Sequence, residues 1–136
     1  MSDEMLRGSC LCGGIAYQMR PPFVFFHYCH CSRCRKSSGS AHAASIMVRA
    51  DQFAWTSGEE LVRRWELPDA KYYCTGWCSV CGSSVPWQSR NGKGYLVPVG
   101  TLDDDPGDRP TSNIHWESRA PWYVQAADLP TFAEGE

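Results

Sequence analysis

Apolar and polar residues alternate along this chain in short runs, a period of two that predicts strands rather than helices. Ile15 to Met19 forms the first run and stops at Pro21-Pro22, since proline cannot donate to a ladder. Val24 to Tyr28 is the second and leads straight into a cluster of cysteines. Ala41 to Val48 places Ala44, Ile46 and Val48 on one face. In the next run Leu61, Arg63 and Trp65 alternate with Val62, Arg64 and Glu66, the signature of a half-exposed strand. Lys71 to Thr75 is a further strand. Val85 to Gln88 and Tyr95 to Val99 flank Asn91-Gly92-Lys93-Gly94, a hairpin turn. Ile114 to Trp116 is the last strand. The 3.6-residue period of a helix is weak throughout; a short turn at Asp51 to Phe53 is its best candidate. Thr101 to Thr111 reads as a polar loop and Ala133 to Glu136 as a tail. The prediction is a mostly β, single domain over residues 1–136 without repeats.

Composition narrows the class. A chain of 136 residues can bury a core of its own, so it need not be a finger that folds only around its metal. Its 43% apolar and 21% charged residues are those of a soluble globular protein. No apolar run reaches the ~20 residues of a membrane helix. The acidic start Met1-Ser2-Asp3-Glu4 lacks the basic and apolar regions of a secretory leader. Trp55, Trp65, Trp87, Trp116 and Trp122 are expected in the core rather than in a pocket.

Seven of the eight cysteines fall into three clusters: Cys10-x-Cys12, Cys29-x-Cys31-x-x-Cys34 and Cys78-x-x-Cys81. Such spacings close on a metal ion without straining the chain and are poor disulfide geometry. Thiolate ligation requires reduced cysteines, which places the protein in the cytosol. Counting suggests the pairing: Cys10 and Cys12 join Cys78 and Cys81 in a closed four-thiolate zinc site, and Cys29, Cys31 and Cys34 hold a second zinc. A closed site is structural, whereas a three-ligand site leaves a position for water or substrate. The first site ties the N-terminal segment to a knuckle past the middle of the chain, offsetting a costly loop closure. The formal charge of −2 becomes about −5 with both zincs and seven thiolates counted. That balance excludes nucleic acid as the main partner.

The second cluster carries the candidate chemistry. A thiol arriving at a three-thiolate zinc loses its proton and becomes a nucleophile at neutral pH. Arg33, Arg35 and Lys36 surround it with positive charge, either neutralising the thiolates or receiving a substrate carboxylate. His27, His30, His42, His115 and Cys74 are candidates for a fourth ligand; His30, between two ligands, is expected to point away. Cys74 has three open roles: closing the second site, acting as a redox partner, or packing as a small apolar residue, the role we favour.

In this order the clusters resemble the glutathione-dependent formaldehyde-activating enzyme family, which includes centromere-protein-V-like proteins. The matching stretches are Gly8-Ser9-Cys10-Leu11-Cys12-Gly13-Gly14, then Cys29-His30-Cys31-Ser32-Arg33-Cys34-Arg35-Lys36 with Ser38-Gly39, then Trp77-Cys78-Ser79-Val80-Cys81-Gly82. Val99-Gly100-Thr101-Leu102-Asp103 and His115-Trp116-Glu117-Ser118-Arg119-Ala120-Pro121-Trp122 complete them. The resemblance runs from about Gly8 to Phe132. It implies a β-tent fold related to methionine-sulfoxide reductase B, with Cys10, Cys12, Cys78 and Cys81 on the structural zinc and Cys29, Cys31 and Cys34 on the other. It also implies glutathione as the thiol, formaldehyde or a small aldehyde as its partner, and a carbon–sulfur lyase. Cys74 lies outside the family's ligand pattern. Two rivals remain: a non-catalytic interaction module in which both metals are structural, and a thiol redox enzyme using Cys74.

Overall fold

The computed structural model describes residues 4–136; Met1, Ser2 and Asp3 of the acidic start lie outside them. In chain order the regular elements are β1 (Leu6–Ser9), β2 (Ala16–Met19), β3 (Phe25–Cys29), α1 (Ser32–Ser38), β4 (Ala43–Arg49), β5 (Phe53–Ser57), β6 (Val62–Glu66), β7 (Cys74–Cys78), β8 (Trp87–Gln88), β9 (Gly94–Pro98) and β10 (Ser112–Ile114). The fold is mostly β with one short α-helix, as the two-residue period requires. No helix among the described residues is long and apolar enough to cross a membrane.

The strands form three sheets, ordered β1-β2-β5, β10-β3-β4-β9-β8 and β6-β7. Neighbours run antiparallel except β10, which lies parallel to β3. The main core fills the space between the first two sheets. Leu6, Tyr17 and Met19 come from the three-stranded sheet, and Phe26, Ile46, Val48 and Val97 from the five-stranded one. Phe53, packed against this core, stacks on the rings of Tyr17 and Tyr95 at 5.4 and 4.0 Å. A second, smaller core gathers Ile15 and Val85 around Cys10 and Cys78.

The five-stranded sheet therefore has one face on the core, and its other face is free for a site. Because side chains alternate and cross-strand partners share a face, the register fixes which residues lie there. Cys29 pairs with Ala43, and His27 with Ser45. Ser45 pairs with Pro98, and Met47 with Leu96. Leu96 pairs in turn with Trp87.

Several expectations need correction. The Lys71–Thr75 strand begins instead at Cys74 and runs to Cys78, because the chain bends at Lys71 and Tyr72 and the Tyr73 hydroxyl bonds to α1. The last strand ends at Ile114, where His115 takes a left-handed φ of 54° and Trp116–Ser118 form a 3-10 turn. The best-formed helix is α1 rather than the turn at Asp51, which is a 3-10 turn over Ala50–Gln52. Helix α1 buries no residue, so no apolar stripe announces it; it is held by its ends. Cys31 caps it by accepting the Cys34 N–H at its sulfur, 3.4 Å, and Gly39 ends it with φ 63°. Strands β1 and β5 were not expected. Among the tryptophans, Trp55 packs against the core, but Trp65 and Trp122 are 50% and 64% exposed and Trp116 is 38% exposed. Trp65 sits on β6, where every residue but Val62 is exposed.

Candidate functional site

Two groups of sulfurs come together, and they divide the cysteines as counting suggested. In each group the sulfurs lie within 4.8 Å of one another: Cys10, Cys12, Cys78 and Cys81 in one, Cys29, Cys31 and Cys34 in the other. Two knuckles build the first. Ile15 N–H donates to Cys10 Sγ at 3.3 Å, and Val80 N–H to Cys78 Sγ at 3.4 Å. Ser83 joins them, its hydroxyl 3.1 Å from Cys81 Sγ and accepting Leu11 N–H at 3.0 Å. The Ser83 hydroxyl, its backbone N–H and that of Cys12 hold the Cys81 thiol down to about 5. Backbone donors aimed at sulfur favour the thiolate, the form a metal needs. The donor set fits zinc.

The second group sits where β3 ends and α1 begins, so one strand terminus and one helical turn supply all three sulfurs. Cys29 is held down to about 5, first by the Cys34 thiol, then by the Cys31 N–H and thiol and the nearby His115 imidazole, against burial. The same contact with Cys29, together with burial, pushes Cys34 up. Three thiols this close share protons until a cation replaces them, and they fit a soft metal such as zinc. Among the described residues no histidine nitrogen or carboxylate oxygen joins the three sulfurs.

The two groups differ in what lies in front of them. The three-sulfur group forms part of the wall of a cavity of about 740 Å³; the four-sulfur group does not line it. The free face of the five-stranded sheet makes the floor, α1 one wall, and the segment from Lys71 to Gly76 another. His27, His42 and His115 all line the cavity. His42 stacks on Tyr28 at 4.2 Å. His30 does not line it: its ring is fully buried, bonded through Nε2 to Asn113 Oδ1 at 2.9 Å and packed on Trp116 at 4.9 Å.

Of the three expected cations, only Arg33 reaches the cavity. Arg35 and Lys36 occupy the last turn of α1, where positive charge complements the helix carbonyls. Cys74 is buried in β7 at the cavity wall. It accepts from Arg64 Nη2 at 3.1 Å and donates to the Tyr72 carbonyl at 3.6 Å.

Sequence reasoning missed Tyr73. Its hydroxyl bonds Ser37 Oγ and donates to the Arg33 carbonyl at 3.1 Å. Burial, opposed by Ser37 and reinforced by the charges of Cys34 and Cys31, pushes it up to about 12, so it stays a neutral donor. Nothing in the sequence near Tyr73 marks it, since only the packing of 71–73 on α1 brings it there.

A comparison with curated proteins finds no match. The chain is similar to a crystal structure of a Rhodobacter sphaeroides protein, with a TM-score of 0.60 and 23% identity over 76% of this chain and 97% of that one. That likeness shows a shared fold. A model of the glutathione-dependent formaldehyde-activating enzyme family matches residues 5–118, which starts before Gly8 and leaves out the Arg119–Phe132 stretch. With that match over most of its length, the chain belongs to the glutathione-dependent formaldehyde-activating enzyme family.

Proposed function

We propose that this protein adds glutathione to formaldehyde or another small aldehyde at Cys29, Cys31 and Cys34, as a carbon–sulfur lyase running in the direction of synthesis. The observation that carries the reading is that this three-sulfur group, and not the four-sulfur one, lines the large cavity. Zinc held by Cys29, Cys31 and Cys34 would lower the pKa of an incoming thiol and favour its thiolate. Zinc on Cys10, Cys12, Cys78 and Cys81 would be structural.

The thiolate sulfur attacks the carbonyl carbon, a C–S bond forms, and the C=O π electrons become an alkoxide that takes up the proton the thiol released. Charge develops on that oxygen, so neutral O–H donors on the cavity wall contribute most. The Tyr73 hydroxyl, which donates to the Arg33 carbonyl in the free protein, would turn to that oxygen, held beside the sulfurs by its bond with Ser37. Arg33 and Lys71 are the permanent cations on the lining, which has no aspartate or glutamate. They suit the two carboxylates of glutathione.

Exchange NMR of formaldehyde with glutathione tests the reading, with the unaided addition subtracted. The expected result is faster exchange in the presence of the zinc-loaded protein. Unchanged exchange, together with a cobalt-substituted protein whose spectrum ignores glutathione, would overturn it. Those results would instead favour an interaction module.

A further inference from the structure

We infer that the aldehyde this site takes carries an apolar substituent, and that its tail lies on the row Met47, Leu96 and Trp87. The inference rests on the thiol-addition reading above and extends it to the substrate class.

The cavity, at about 740 Å³, has to hold glutathione as well as the aldehyde, so its floor rather than its volume distinguishes between aldehydes. Its floor changes character in register. The row nearest the sulfurs holds Cys29 and Ala43, and the next holds His27, Ser45 and Pro98. The cavity-lining part of the third holds Met47, Leu96 and Trp87, side by side on β4, β9 and β8, with Phe25 beyond Met47 on β3. Each row is two residues further along the strands, so the third lies roughly 13 Å from the first. All three of its side chains are only half-buried, whereas Ile46, Val48 and Val97 on the opposite face are 0% exposed. The protein covers its core face completely and leaves this apolar row open to the cavity.

Charge decides which part of the adduct lies there. Glutathione is a polar anion, and Arg33, beside Cys34 on α1, draws a carboxylate to the wall nearest the sulfurs. An apolar row gains nothing from those groups; it gains from an alkyl or aryl chain. In the product R–S–CH(OH)–R′ the substituent R′ leaves the same carbon that bonds the sulfur, so a medium-length chain reaches from the three thiolates toward the third row. The chemistry is unchanged: a C–S bond forms, the carbonyl π bond becomes O–H, and the thiol supplies the proton.

The test compares S-octylglutathione with S-methylglutathione by calorimetry on the purified protein. The octyl conjugate is expected to bind at least about tenfold more tightly. Leu96→Gln is expected to remove most of that advantage while leaving S-methylglutathione affinity and formaldehyde exchange unchanged. Met47→Gln, on the neighbouring strand, serves the same purpose if Leu96→Gln fails to fold. Exchange assays extend the comparison: glutathione with octanal should be accelerated, and octanethiol with formaldehyde should not. Equal affinity for the two conjugates, or an advantage that survives both substitutions, overturns this inference alone when formaldehyde exchange is accelerated. Acceleration of only the octanethiol pair places the tail on the thiol and also overturns it. If no aldehyde exchange is accelerated, the proposed function fails and this inference falls with it.

Discussion

Arg64 Nη2 donates to the sulfur of Cys74 across β6 and β7, at 3.1 Å, and this contact defines what the eighth cysteine does. The same guanidinium pairs with Glu66 at 2.9 Å and donates to the Gln88 carbonyl, so it ties three segments together beneath the cavity wall. Cys74 Sγ also donates to the Tyr72 carbonyl, leaving the thiol hydrogen-bonded and only 1% exposed. Cys74→Ser is therefore expected to keep aldehyde exchange and zinc content within about twofold, and Cys74→Ala to lose about 1–2 kcal/mol of stability. Turnover and urea denaturation measure the two effects. Loss of turnover in the serine variant with the fold intact would restore the redox reading.

Gly8 lies opposite Tyr17 on β1 and β2, and a β-carbon there would collide with the tyrosine ring. The ring cannot swing aside, because its hydroxyl bonds Thr101 Oγ1 at 2.6 Å and its face stacks on Phe53. Gly8→Ala is expected to cost about 1–3 kcal/mol by overpacking, and Tyr17→Phe about 1 kcal/mol through the lost hydrogen bond. Denaturant midpoints check both.

The sulfur groups should separate on metal removal. Mass spectrometry under native conditions is expected to show two zincs per chain, with Cys31→Ser retaining the one on the four-thiolate site. A mild chelator should strip the three-thiolate site first and leave circular dichroism unchanged. Cys78→Ser is expected to abolish cooperative unfolding, since the four-thiolate site clamps the second core.

Arg7 and Asp104 tie β1 to the loop after β9, with Arg7 N–H and guanidinium both on the carboxylate at 2.8–3.2 Å. The Arg7 side chain, then its backbone N–H, holds the Asp104 carboxyl below its ordinary range. A carboxyl whose folded pKa is depressed contributes stability above its unfolded pKa and loses it as pH falls through the folded value. The stability gap between wild type and Asp104→Asn should therefore be constant near neutrality and close below about pH 4. A gap that persists at pH 2 would show that the pair acts through something other than charge.

The cysteine grouping was legible because thiolate spacing is a local constraint, and the sulfurs assemble in the expected sets. The runs at 15–19, 24–28 and 41–48 were legible for a similar reason, since their period of two sends Tyr17 and Met19, Phe26, and Ile46 and Val48 into the main core. What escaped depends on tertiary placement. Helix α1 has no apolar face to read. Trp87 and Met47 look like core residues until the register of three strands turns them toward a cavity. Tyr73 and Lys71 reach the site only because the chain folds back over α1. Arg35 and Lys36, adjacent to Cys34 in sequence, do not line the cavity because the helix turns them away from it.

The parallel pairing of β10 with β3 joins Ser112–Ile114 to His27–Cys29, more than eighty residues apart in the chain. On the ribosome, β3 therefore waits with a bare hydrogen-bonding edge until more than eighty further residues have been synthesised, a template that stray strands can occupy. The nascent chain is most vulnerable to aggregation in that interval, and arrival of β10 both seals the margin and brings His115 to the cavity.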